Sequence, residues 1–255
     1  MNESKIHYGP KYFINPAHRI TIDLVGLGGT GSRVLNELAR MNAALLGLGK
    51  PGLFVRCWDA DIVEEANVGR GTFSAADIGE YKANILVTRV NRHFGTDWDS
   101  NLMNYKGNKA SNILITCVDT IKARVSIGST IEKKQGKVDP FDQLYYWLDF
   151  GNLQKTGQVI LGTNGNINQP KIKGVKGRLK NVIATFPHLK KVKKESNAPS
   201  CSMAEALDKQ DLFINGILAQ FGCHLIWQLL KVGYIKNRGA YVNLENLIVN
   251  PIKIK

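Results

Sequence analysis

Apolar and polar positions fall into alternating blocks of two kinds along the chain. Arg19 to Val25, RITIDLV, alternates and then runs apolar with β-branched residues, the mark of a buried strand. Beyond a glycine-rich turn, Val34, Leu35, Leu38, Ala39, Met41 and Leu45 recur at helical spacing. That predicts a helix from Ser32 to about Leu46, stopped by Gly47, Gly49, Pro51 and Gly52. Leu53 to Trp58, LFVRCW, is a second strand ending at Asp59. A strand–turn–helix–strand unit of this kind implies a parallel pair with a right-handed crossover.

The alternation continues. Residues 60–80 read as a loop with short helical pieces, and Lys82 to Phe94 has helical spacing through Ile85, Leu86, Val90 and Phe94. Asn112 to Val118, NILITCV, is a third buried strand that again ends at an acid, Asp119. A helix is predicted over Ile121 to Gln135, a fourth strand over Leu144 to Phe150, and the start of a fifth at Val159 to Gly162. Residues 163–200, rich in Gly, Asn, Lys and Pro, read as a long basic loop or crossover. Ser202 to Leu230 has a strong helical pattern, enough for two helices, and Val242 to Leu247 reads as a short terminal strand. Strands alternating with helices predict an α/β, Rossmann-like, doubly wound and mostly parallel sheet with helices on both faces. Residues 1–18 read as an irregular lead-in and 19–255 as a single domain.

Composition narrows the setting. The chain has 255 residues, 44% of them hydrophobic and 22% charged, ordinary globular usage that excludes wholesale disorder. No stretch approaches the ~18 consecutive apolar residues of a membrane-spanning helix, and the polar N-terminus lacks the core of a signal peptide, so a cytoplasmic location is expected. None of the four cysteines, Cys57, Cys117, Cys201 and Cys223, falls in a C-x-x-C pair. His7, His18, His93, His188 and His224 show no metal-ligand spacing. The unusual total is charge: 34 Lys and Arg against 21 Asp and Glu, a net +13 that favours anionic partners. Lys171 to Lys194 holds much of that excess and contains no acid. It reads as a solvated basic loop or a binding surface for an acidic protein. With a single Arg and a single aromatic, it is ill suited to reading bases, so nucleic acid is the less favoured partner.

The glycine turn carries the first chemistry. Gly26-Leu27-Gly28-Gly29-Thr30-Gly31-Ser32 follows a strand and opens a helix. Gly26 permits the tight turn, Gly28 and Gly29 leave room for a phosphate or sugar, and Gly31 lets the helix pack on the strand. The helix start offers unpaired N–H groups to an anion. Asp59, 28 residues after Gly31, is placed to accept hydrogen bonds from ribose hydroxyls. In NAD enzymes that acid usually comes sooner, about 20 residues on, which weakens an oxidoreductase reading.

GLGGTGS, DADIVEEANVGR, GEYKANILVTRVN and ITCVD together resemble the adenylation domain of ThiF/MoeB proteins, the ubiquitin-activating-enzyme-like superfamily. The resemblance spans roughly residues 19–152. WDADIVEEANVGR and PSCSMAEALDKQDLFIN are most similar to the ThiF-like family of PRTRC plasmid gene clusters, which also hold a ubiquitin-like protein and a JAB-type metalloprotease. The resemblance implies ATP and Mg2+ as cofactors and a small ubiquitin-like or sulfur-carrier protein as substrate, adenylated on its C-terminal carboxylate by a homodimeric enzyme. It implies that Asp59 holds the ribose, that Asn67, Arg70 and Lys82 face the phosphates, and that Asp119 sits near Mg2+. Asp61 stands beside them as a ligand or a turn-stabilising residue. Arg70 and Lys82 as solvated charges, Asp119 as a helix cap and Asn67 as a turn cap are the structural alternatives. Asp149 reads as structural or substrate-side.

Two departures stand out: Ala66 and Gly71 occupy positions where the family often has Ser and Gln. They motivate an alternative, a non-catalytic nucleotide-binding or plasmid-associated module. Some family members form a thioester downstream, and Cys201, near Lys190, Lys191, Lys193 and Lys194, is the candidate here; a passive loop cysteine is the other reading. Cys57 and Cys117 read as inert core thiols.

Overall fold

The computed structural model describes residues 5–132, 139–192 and 203–255. Ten strands, β1 to β10, are His7–Tyr8, Ile20–Val25, Leu53–Trp58, Asp99–Asn101, Ile113–Thr116, Tyr146–Asn152, Thr156–Thr163, Tyr234–Ile235, Asn237–Asn243 and Ile248–Lys253. Among the described residues seven α-helices, α1 to α7, are Lys11–Ile14, Gly29–Gly47, Lys82–Phe94, Ile121–Glu132, Val182–Thr185, Met203–Lys209 and Ile214–Lys231.

Eight strands form one sheet in the order β10-β9-β7-β6-β5-β2-β3-β4. The run from β4 to β6 is parallel, and β7, β9 and β10 continue it antiparallel. The α/β, Rossmann-like sheet expected from the alternating blocks is therefore present. Period-two alternation feeds two cores. Ile20, Ile22 and Leu24 of β2 and Ile113 and Ile115 of β5 face one side, against α2, α3 and α7. Val25, Leu114 and Trp147 face the other, against α4 and α5. α7 packs tightly on the sheet, where a Cβ on Gly222 would come within 2.2 Å of Phe150. α2 ends where Gly49 turns to φ +72°, a left-handed step that lets the Lys50 N–H reach the Leu45 carbonyl at 3.0 Å. No described helix is long and apolar enough to cross a membrane.

Several elements differ from the sequence reading. The lead-in is ordered where described: β1 pairs with β8, and Phe13 of α1 is wholly buried in the core. The terminal strand predicted over Val242 to Leu247 is a hairpin, in which β9 ends at Asn243, Leu244 to Leu247 form the turn and β10 returns. The basic crossover contains α5 and a 3-10 turn, Pro187–Lys191. Its first part lies at the end of the sheet opposite the strands' carboxyl ends. β7 delivers Thr163 opposite Tyr146, the first residue of β6, and Val175 bridges to Ile6. Lys171 to Lys180 therefore sit at the amino ends of the parallel strands, not across the mouth of the cleft. Lys193, Lys194 and Cys201 lie outside the described residues.

Candidate nucleotide cleft

A cleft of about 400 Å³ opens at the carboxyl ends of the parallel strands, where doubly wound sheets bind their ligands. Gly26, Gly28, Gly29, Thr30, Asp59, Asp61, Asn67, Arg70, Lys82 and Asp119 all line it. Four stretches that are distant in sequence thus meet around one cavity. A larger apolar groove of about 810 Å³ between α2 and α7 contains none of these residues.

The glycines divide their duties. A Cβ on Gly31 would fall 1.8 Å from the Gly26 carbonyl oxygen, so this glycine closes the turn onto the helix and does not line the cleft. Gly28 has nothing within 4 Å of its Cβ position and keeps the cleft floor open. Gly29 differs from the room-for-ligand expectation, because the Asn215 amide fills the space, 2.8 Å from a would-be Cβ. Ser32 differs as well: it is fully buried, donates to the Gly29 carbonyl at 3.2 Å and accepts from the Thr72 N–H at 3.2 Å, outside the cleft.

Asp59 braces the turn. One carboxylate oxygen accepts from the Leu27 N–H at 2.6 Å and the other from the Asp61 N–H at 2.9 Å. Burial pushes its carboxyl above the ordinary aspartate value, opposed by those two N–H groups and by the Lys82 charge. The Lys82 ammonium lies 3.3 Å from Asp61, whose own side chain is largely exposed. Asn67 caps its 3-10 turn by accepting from the Glu64 N–H at 2.9 Å, and it also lines the cleft. Arg70 donates through Nε to the Ala66 carbonyl at 3.0 Å. Burial lowers its guanidinium from the usual value, and the Asp119 charge opposes that. The helix cap weighed for Asp119 is supplied by its neighbour: Thr120 Oγ1 accepts from the Ala123 N–H at 3.2 Å. Asp119 stays exposed on the cleft wall.

The sequence reading missed the far wall. Asn215, at the start of α7, is 1% exposed; it accepts from Thr30 Oγ1 at 2.7 Å and from Asn152 Nδ2 at 2.8 Å, and donates to Gln210 at 2.9 Å. This amide ties the glycine turn to the α6–α7 connection. Trp58, Asn104 and Tyr105 line the opposite end. Asp149 is structural: Arg124 Nε meets its two oxygens at 2.9 and 3.0 Å, behind the cleft. Cys117, read as core, is half-buried on the cleft wall, where desolvation and the Asp149 charge push its thiol up. Among the described residues no group of three His, Cys, Asp or Glu side chains is placed to hold a metal unaided.

The ThiF family model matches residues 15–247. The chain belongs to the ThiF family. This ThiF-family chain is similar in fold to the solved structure of PaaA, with a TM-score of 0.59 and 13% identity over 92% of this chain and 64% of that one. It is similar to Escherichia coli MccB crystallised with MccA, with a TM-score of 0.57 and 14% identity over 95% of this chain and 65% of that one. MccB crystallised with AMPCPP and MccA gives a TM-score of 0.57 and 13% identity over 93% and 64%. The chain thus spans a little under two thirds of the length of these neighbours. No curated protein matches it in sequence. The departure at Gly71 has a local reason in this ThiF-family fold: a Cβ there would meet the Phe73 ring at 2.8 Å and Ser32 Oγ at 3.0 Å.

Proposed function

We infer that the protein is an ATP-dependent adenylating enzyme that activates the C-terminal carboxylate of a small ubiquitin-like or sulfur-carrier protein, as a homodimer. The observation that carries this reading is the convergence of the glycine turn, Asp59, Arg70, Lys82 and Asp119 on one cleft. Membership of the ThiF family supports it, as does the likeness to MccB, which has been crystallised with AMPCPP and MccA together.

The chain's residues have separable tasks. The start of α2 presents its unpaired N–H groups to phosphate, and Gly28 lets phosphate approach the backbone. Arg70 and Lys82 neutralise charge on the triphosphate and on the departing pyrophosphate. The substrate carboxylate attacks the α-phosphorus; a new P–O bond forms, and the bond to pyrophosphate breaks. Positioning and charge neutralisation are what the protein contributes. Asp119 fits Mg2+, which takes one or two carboxylates and completes its shell with phosphate oxygens and water. Bound there, Mg2+ would supply charge stabilisation at the phosphates. A further step of the same proposal is attack of the Cys201 thiol on the acyl-adenylate carbonyl, which forms a thioester, breaks the acyl–phosphate bond and releases AMP and a proton; Cys201 lies outside the described residues.

The test is ATP–pyrophosphate exchange with a ubiquitin-like carrier from the same source, offered with a free C-terminus and again as its C-terminal amide. Exchange is expected with the free acid alone. Equal exchange with both forms, or none with either, overturns the reading. Asp119→Asn is expected to raise the Mg2+ concentration needed for half-maximal exchange several-fold, and an unchanged Mg2+ requirement removes Asp119 from the metal.

A further inference from the structure

The charge excess that the cleft does not use is gathered at the opposite end of the sheet. Four segments meet there. Residues 163–180 leave β7 and bridge to the lead-in, with the Ile6 N–H donating to the Gly174 carbonyl and the Lys176 N–H to the Ile6 carbonyl, each at 2.9 Å. The lead-in pairs with β8 through His7 and Ile235. The start of β9 joins residues 163–180 to the end of β10: Arg238 donates to the Lys180 carbonyl at 2.8 Å, and Asn237 pairs with Lys253. Residues 163–194, 231–244 and 246–255 contain no Asp or Glu. Folding therefore brings residues 163–180, 234–240 and 251–255, all free of acids, to one face.

Lys171, Lys173, Arg178, Lys180, Lys236 and Lys253 are all exposed on that face. Among the described residues, no ion pair joins any of them to an acid. Cations crowded in this way repel one another, and a polyanion relieves that repulsion while releasing its own counterions.

We propose that this end face binds the phosphate backbone of duplex nucleic acid without reading its sequence. Two observations favour nucleic acid over an acidic protein. Specific protein interfaces are built around an apolar core. Here, across 163–180, 234–240 and 251–255, Ile172 is the one large apolar side chain that is exposed. The cations are also mostly lysines, compact charges on flexible stems, spread over several chain segments. That arrangement suits phosphate contacts and lacks the rigid arginine forks used to read bases or to clasp individual carboxylates. At the other end of the sheet this segment does not border the cleft, so a protein substrate held at the cleft gives no reason for an acidic protein here. The proposal does not rest on the adenylation reading, because the two sites share no residue.

The test uses the full chain and a fluorescently labelled 20-base-pair duplex, followed by anisotropy at several salt concentrations. Binding is expected at low salt, equal for two unrelated sequences and falling steeply as salt rises. Reversing Lys171, Lys173, Arg178 and Lys180 to Glu should weaken binding more than tenfold and flatten the log–log salt slope by about 3–4, at about 0.9 per phosphate contact. The four Gln variants combined, which introduce no new charge, guard against misfolding and should lose a smaller but clear share. Reversing Arg40, Arg92, Lys106 and Lys155 instead makes the same net-charge change and should cost much less. Absence of binding at low salt, or equal losses in the two reversed sets, overturns the proposal. Preference for polyglutamate over the duplex overturns it in favour of an acidic protein.

Discussion

Replacing Lys82 or Arg70 with Ala is expected to lower ATP–pyrophosphate exchange about ten- to hundredfold while leaving the fold intact. A hydrogen bond to a charged group is worth about 1.5–3 kcal/mol, and each ~1.4 kcal/mol is a factor of ten in rate. Both side chains line the cleft, and their existing partners are weak substitutes for a polyphosphate. Lys82 faces the largely exposed Asp61 at 3.3 Å, a pair that solvent screens, and Arg70 holds a single carbonyl, that of Ala66. Losing those contacts costs little stability. Thermal midpoints within a few degrees of wild type, together with the loss of exchange, are the expected pattern. Wild-type exchange rates in both variants would remove these residues from the phosphate site. A loss confined to raised KM for ATP, with kcat unchanged, would mean that they bind ground state and transition state alike.

The cleft positions of the glycine turn, Asp59 and Asp119 were legible because they follow from local rules. A glycine turn between strand and helix, an acid at the end of β3 and another after β5 must all emerge at the carboxyl end of a parallel sheet, whatever the rest of the chain does. Arg70 and Lys82 followed from the family resemblance, and they are held by connections that start at that same end. Asn215 had no such signal. It lies 185 residues beyond Thr30, an amide at the start of a mostly apolar helix, and only the packing of α7 against α2 brings the two within hydrogen-bond reach.

The errors in the fold have similar causes. β4, Asp-Ser-Asn, is a three-residue edge strand with no apolar side chain to announce it. Leu244 extends the alternation of Val242 into the turn and Leu247 adds an apolar residue beyond it, yet Leu247 is 85% exposed at φ +52°. The lead-in is too short for any period to emerge, although Phe13 is fully buried. The place of the basic segment was illegible for a different reason. Charge density marks a surface, but only strand order decides at which end of the sheet that surface lies.

The largest loss of stability is expected from Arg124→Ala, about 3–5 kcal/mol, the usual cost of removing one partner of a buried ion pair. Asp149 is 1% exposed, and its carboxylate also accepts from Thr116 Oγ1 at 2.6 Å, while Trp147 Nε1 donates to that hydroxyl at 2.8 Å. Arg124 Nη2 additionally holds the Val118 carbonyl at 2.7 Å and the Phe150 carbonyl at 2.9 Å, pinning the ends of β5 and β6 where they border the cleft. Truncation strands a carboxylate and two carbonyls at once. At a few degrees per kcal/mol for a chain of this size, the thermal midpoint should fall by roughly 10 °C. The deficit should also depend on pH. Burial already raises the Asp149 carboxyl above its ordinary value, and the Arg124 charge is the largest influence holding it down. Without Arg124 it rises further, so the folded state takes up a proton that the unfolded chain releases. Between the unfolded and folded values, stability then falls as pH rises. The variant should therefore be closest to wild type near pH 5 and furthest from it near pH 8. Arg124→Met combined with Asp149→Asn removes both charges and should recover most of the loss. A deficit below about 1 kcal/mol, or one that stays flat from pH 5 to 8, would show that the pair does not hold the two strand ends together as described.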